Sequence, residues 1–142
     1  MDKKQYVLGF MFNETKDKVL LIHKNRPDYQ AGKLNGLGGK IEKLVSSATK
    51  TIYESPLEAM IREFREECGI HYKYWEKFTE LNGNDHTIMV YRGFGDITEA
   101  ETTTDEEVCI VDVNNLPNNS MPRLKWLIPM ALENEFYIVE VL

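Results

Sequence analysis

The sequence has 142 residues, 42% apolar and 28% charged, with a formal net charge of −6. That is enough chain for one domain with a real core and too little for two. The acidic balance excludes a general nucleic-acid binder, whose affinity for phosphate backbone comes from clustered Lys and Arg, and no apolar run reaches the length of a membrane span.

Cys68 and Cys109 stand in no CxxC or metal-ligand spacing, and the N-terminal MDKKQYVLGF lacks the apolar core of a signal peptide, so a reducing cytoplasm is expected. Residues 5–13 and 18–24 read as strands separated by a turn at 13–17. The run Val19, Leu20, Leu21, Ile22 is continuously apolar, which predicts a strand buried on both faces and therefore a central sheet. Next comes KNRPDYQAGKLNGLGGKIE, with glycines at 32, 36, 38 and 39 that let backbone approach a ligand and with Lys24, Arg26, Lys33 and Lys40 able to meet phosphate oxygens. The following KLVSSATKTIY is rich in Ser and Thr, carries no strong period, and reads as an enlarged surface loop.

Residues 54–70, ESPLEAMIREFREECGI, hold the most information in the chain. Ser55 is placed to cap a helix, Pro56 suits its first position, Glu58 completes a capping box and Gly69 supplies the stop. Leu57, Met60, Ile61, Phe64 and Cys68 recur at helical spacing and predict a stripe buried against the sheet. Glu63, Glu66 and Glu67 share another face, with Glu67 bordering the stripe. Carboxylates at such spacing repel one another unless a cation lies between them, and oxygen donors without His or thiolate favour a hard ion, Mg2+ or Mn2+. A solvated acidic face with arginine partners is the alternative.

Beyond the helix, residues 72–81 and 87–94 predict two strands joined by the hairpin signal Asn82-Gly83-Asn84-Asp85. An acidic loop, TTTDEE, precedes a strand at 108–113. Leu124, Leu127, Ile128, Ala131 and Leu132 give a last amphipathic helix containing Pro129, and residues 136–142 close as a strand.

The register of the acidic helix resembles the Nudix box. Glu54, seven residues, then Arg62-Glu63-Phe64-Arg65-Glu66-Glu67-Cys68-Gly69-Ile70 meets every specified position of its second part, and Gly38-Gly39-Lys40-Ile41-Glu42 is similar to its opening GGKIE. The departure is an insertion of nine residues between Glu42 and Glu54, so that Ala48 stands where the family pattern has glycine. The resemblance implies one α/β (α+β) Nudix domain over 1–142, an α/β/α sandwich around a mixed β-sheet, with an inserted loop at about 43–53.

The reaction implied is hydrolysis of a diphosphate linkage in a nucleoside diphosphate derivative. By the same resemblance Glu63, Glu66 and Glu67, with the carbonyl of Gly38 or Gly39, would hold Mg2+, for which Mn2+ can substitute. One of these glutamates, or Glu106 or Glu107 outside the box, would take a proton from water, while Arg62 would orient Glu54. AGKLNGLGGK is similar to the matching segment of Nudix enzymes that hydrolyse oxidised purine nucleoside triphosphates, where residues matching Lys24, Tyr29 and Asn35 line the nucleotide pocket; Lys40 is a further phosphate candidate. In that subgroup a loop before the last helix carries a tryptophan and paired aspartates. Here the loop reads Ser120-Met121-Pro122-Arg123-Leu124 without the aspartates, and Trp126 either stacks on a base or packs in the core.

The partner expected is a small-molecule nucleotide, with no nucleic acid and no membrane, acting as a monomer or a homodimer. A MutT-like activity yielding nucleoside monophosphate and pyrophosphate is the leading expectation. A hydrolase of ADP-ribose, a nucleotide sugar or a dinucleoside polyphosphate is the alternative, and a non-catalytic nucleotide sensor the third.

Overall fold

The computed structural model describes residues 3–133 and 137–141. Its elements run β1 (Lys4–Phe12), β2 (Lys18–His23), β3 (Leu34–Asn35), β4 (Leu37–Lys40), β5 (Lys43–Ser46), β6 (Thr51–Tyr53), α1 (Pro56–Cys68), β7 (Glu76–Asn82), β8 (His86–Phe94), β9 (Val108–Asp112), α2 (Leu124–Ala131) and β10 (Tyr137–Glu140). A short 3-10 turn, Ile97–Glu99, lies between β8 and β9. Of the last strand expected from the sequence, Phe136 and Leu142 lie outside the described residues.

Eight strands form one mixed sheet in the order β10-β7-β8-β1-β2-β3, with β4 also on β1 and β9 also on β2. β1 runs parallel to β8 over nine residue pairs and antiparallel to β2 and β4. The apolar run in β2 explains the layering: Leu20 and Ile22 point to the α1 side, Val19 and Leu21 to the α2 side, and all four are buried. Alternate side chains of a strand face opposite ways, so a strand apolar at every position must be covered twice. Met60, Phe64 and Cys68 of α1 cover one face, and Leu124, Leu127, Ile128 and Ala131 of α2 the other. The α/β/α sandwich is therefore as expected.

Three expectations are corrected. The segment at 43–53 is an ordered hairpin, β5 paired antiparallel with β6, because Val45, Thr51 and Ile52 supply β-branched residues; it lies wholly at the surface and forms a separate two-stranded sheet. Leu57 is 40% exposed, since it sits in the first turn of α1, while Ala59 joins the buried face. The strand expected from residue 72 begins only at Glu76. Trp75 turns inward to meet the Phe64 ring edge-on at 4.9 Å, and Tyr72 meets Trp75 edge-on at 5.0 Å, so the aromatics at 72 and 75 fill the core beneath α1 without strand pairing. Tyr74 remains 71% exposed.

Candidate active site

The capping box forms as read: Ser55 Oγ accepts from the Glu58 N–H at 3.1 Å and the Glu58 carboxylate accepts from the Ser55 N–H at 3.0 Å. Together these bonds stabilise the helix start by about 1 kcal/mol and fix its register. Gly69 ends the helix in the left-handed region, φ 82°, where glycine is favoured. This register carries Glu67 onto the buried face, 7% exposed, against the start of the box loop on β4. The N–H of Gly38 donates to Glu67 Oε1 at 2.8 Å, so this glycine contributes its N–H to the cluster. Gly39 lies against Glu63, where an added Cβ would come within 2.5 Å of the carboxylate carbon.

Arg62 organises the outer half of the cluster. Its Nε meets both Glu54 oxygens at 3.0 and 3.2 Å, its Nη1 meets Glu63 at 2.9 Å and Glu66 at 3.2 Å, and its Nη2 donates to the Lys40 carbonyl at 3.1 Å. Its pairing with Glu54 is therefore observed, and it gathers Glu63 and Glu66 as well. Hydrogen bonds from Arg62 hold the Glu54 carboxyl below its usual range. Glu54 Oε1 also accepts from the Glu42 N–H at 3.0 Å, which closes the base of the β5–β6 hairpin. The Lys40 side chain is exposed.

The inner half is formed by Glu67 and Glu106. Of the two acids before β9, Glu106 is buried, 6% exposed, and Glu107 is at the surface. Glu106 accepts from Lys24 Nζ at 3.0 Å and from the Asn25 N–H at 2.6 Å. Burial pushes its carboxyl upward, but these donors outweigh burial and leave it below its ordinary value. Glu67 moves the opposite way, to about 8, because burial is reinforced by the charges of Glu63 and Glu106 and only partly offset by the Gly38 N–H and Lys24. Burial likewise raises Glu63. A shallow depression of about 410 Å³ opens on the solvent side of α1, lined by Glu58, Ile61, Arg62, Arg65, Glu66 and His71. It borders the outer half of the cluster rather than the Glu67–Glu106 side.

The sequence candidates for the nucleotide are spread more widely. Asn35 Nδ2 donates to Gln30 Oε1 at 3.0 Å and its Oδ1 accepts from the Gly36 N–H at 2.8 Å, while Gln30 Nε2 reaches the Tyr29 hydroxyl at 3.0 Å. Tyr29 is 67% exposed. Trp126 is 37% exposed on α2, which corrects the core-packing alternative: Leu124, Leu127 and Ile128 take the buried positions of that helix.

A family model for the NUDIX domain matches residues 2–129. The chain belongs to the NUDIX domain family. No curated protein sequence matches it. Among solved structures, this Nudix domain is similar to a MutT NUDIX hydrolase from Burkholderia pseudomallei at TM-score 0.73 and 18% identity, over 92% of this chain and 98% of that one. A NUDIX hydrolase from Nitrosomonas europaea gives 0.74 and 18% over 99% and 81%. An ADP-ribose pyrophosphatase from Streptococcus suis gives 0.67 and 16% over 99% and 100%. At these identities the likeness is one of fold. Membership makes the chain a Nudix pyrophosphohydrolase, of a family that acts on small nucleotides with divalent metal ions.

The residues fit such an ion. The donors are all oxygen, and buried Glu67 feels the charges of both Glu63 and Glu106, with Lys24 as the nearby cation. Among the described residues no three acids stand at metal-holding spacing, and Arg62 pairs with Glu54, Glu63 and Glu66. Among them, too, no helix is long and apolar enough to cross a membrane.

Proposed function

We propose that this Nudix domain is a Mg2+-dependent, MutT-like hydrolase that cleaves the diphosphate linkage of a nucleoside triphosphate to nucleoside monophosphate and pyrophosphate. The observation that carries this reading is the buried carboxylate pair Glu67 and Glu106, beside Glu63, with too little cationic charge of its own to balance it. Negative phosphate and negative carboxylate cannot approach without added positive charge, and a hard divalent ion supplies it to oxygen donors.

In this reading Glu63, Glu66 and Glu67 would hold Mg2+, or Mn2+ in its place, and the ion would supply positive charge to the phosphates and lower the pKa of water. The water oxygen forms a bond to one phosphorus as the bridging oxygen leaves with its electron pair, and Glu106 takes the water proton. Glu106 is favoured over Glu107 by its burial beside Glu67. Arg62 orients the acids by its multiple hydrogen bonds rather than by touching phosphate. Lys40, with its exposed ammonium, meets phosphate oxygens, while Tyr29, Asn35 and Trp126 are the groups offered to the nucleoside.

ADP-ribose, a nucleotide sugar or a dinucleoside polyphosphate is the second reading, favoured by the loop Ser120-Met121-Pro122-Arg123-Leu124, which has no acids to read a base. A nucleotide sensor without catalysis is disfavoured because every box carboxylate is kept. The test is a panel of these compounds with Mg2+, with the products separated. Release of pyrophosphate and monophosphate from a triphosphate supports the first reading, and turnover of ADP-ribose alone replaces it with the second.

A further inference from the structure

β2 and β9 pair antiparallel with Ile22 opposite Val108, and the next ladder bond, from the His23 N–H to the Glu107 carbonyl, is present at 2.7 Å. Continued by one more step, the ladder would join the Asn25 N–H to the Asp105 carbonyl, since bonded pairs alternate along an antiparallel ribbon. That step is altered. The Asn25 N–H turns to Glu106 Oε2 at 2.6 Å, and Asn25 Nδ2 donates to the Asp105 carbonyl at 2.7 Å in its place. The other Glu106 oxygen accepts from Lys24, the Glu106 N–H donates to Thr104 Oγ1 at 3.1 Å, and Arg26 pairs with Asp105.

We propose that Asn25 is a positioning residue for Glu106. Its side chain satisfies a carbonyl that would otherwise claim its own N–H, and so frees that N–H to aim the carboxylate at Glu67. A residue without a short side-chain donor leaves the Asp105 carbonyl open to the Asn25 N–H, and the ladder bond then competes with Glu106 for that donor. Asn25 itself is exposed, so replacing it leaves the core intact.

This inference rests on the role given to Glu106 above, and the experiment separates the two. In full-length protein with Mg2+ and the best substrate of the panel, Asn25→Ala lowers kcat roughly 10- to 100-fold, as expected for a misplaced catalytic group, with KM little changed. Asn25→His, whose Nδ1 stands at the position of the Asn25 Nδ2 and donates when it carries the ring proton, recovers most of that loss. In a Glu106→Gln background the Asn25→Ala change costs nothing further, because the two act through one bond. In the metal-free protein, the Asn25 amide proton resonance lies downfield and moves upfield in Glu106→Gln. Wild-type kcat in Asn25→Ala, or an undiminished penalty in the double variant, overturns the positioning role while the reading of Glu106 stands. Full activity of Glu106→Gln overturns the role of Glu106, and the positioning role with it.

Discussion

Glu67→Gln exposes a conflict between stability and function at one position. A carboxyl that ionises near pH 8 instead of 4.5 weakens the fold by about 1.36 kcal/mol for each pH unit between those values, or roughly 4 kcal/mol at pH 8. Glutamine retains an oxygen for the Gly38 N–H at 2.8 Å and carries no charge toward Glu63 and Glu106. If relaxation of the carboxylates recovers half of the penalty in the wild type, the substitution stabilises the metal-free protein by about 2 kcal/mol, on the order of 5 °C in Tm for a domain of this size. Melting both proteins by circular dichroism in EDTA at pH 8 measures it. The same variant should lose hydrolysis by orders of magnitude and show little rise in Tm on adding Mg2+, whereas the wild type rises. A folded variant that melts below the wild type in EDTA refutes the argument that Glu67 is an unbalanced buried charge.

Other expectations follow from the same contacts. Glu67 and Glu63 have folded values raised by burial, so the native state holds extra protons and metal-free stability falls as pH rises from about 4.5 toward 8, flattening above it; melts across that range check the slope, and saturating Mg2+ should remove most of it. Glu54 and Glu106 are shifted down and act oppositely, their stabilisation being lost as pH falls below about 4.5. Gly39→Ala should leave a folded protein with kcat down about tenfold or more, because its Cβ would displace the Glu63 carboxylate, and steady-state kinetics test it. Arg62→Lys replaces a forked group that bonds Glu54, Glu63, Glu66 and the Lys40 carbonyl by a single ammonium; a kcat within twofold of wild type would show that this network is dispensable.

The acidic helix was legible because its information is local. Ser55, Glu58 and Gly69 set its ends by contacts within the segment, and 100° per residue then places Glu67 beside Met60 and Phe64. The β2 run was legible because four consecutive apolar residues admit few environments. Trp75 misled because aromatic residues favour strands and cores alike, and only the Phe64 ring across the fold decides between them. The hairpin at 43–53 was hidden by its Ser and Thr content, and β3 and β4 by their shortness and glycines. The choice of Glu106 over Glu107 depends on Lys24 and Asn25, some eighty positions away, and nothing in the acidic run itself marks which side chain turns inward. Asn25 was missed for the same reason.

The β5–β6 hairpin leaves and rejoins the domain at a single place, where the Glu54 N–H meets the Glu42 carbonyl at 2.9 Å and the Glu54 carboxylate meets the Glu42 N–H. Such a gateway ties the hairpin to the domain through Glu42 and Glu54, both of which also pair with Arg62. The hairpin's exposed tip gives an experimenter a place to graft a fluorophore or a peptide tag.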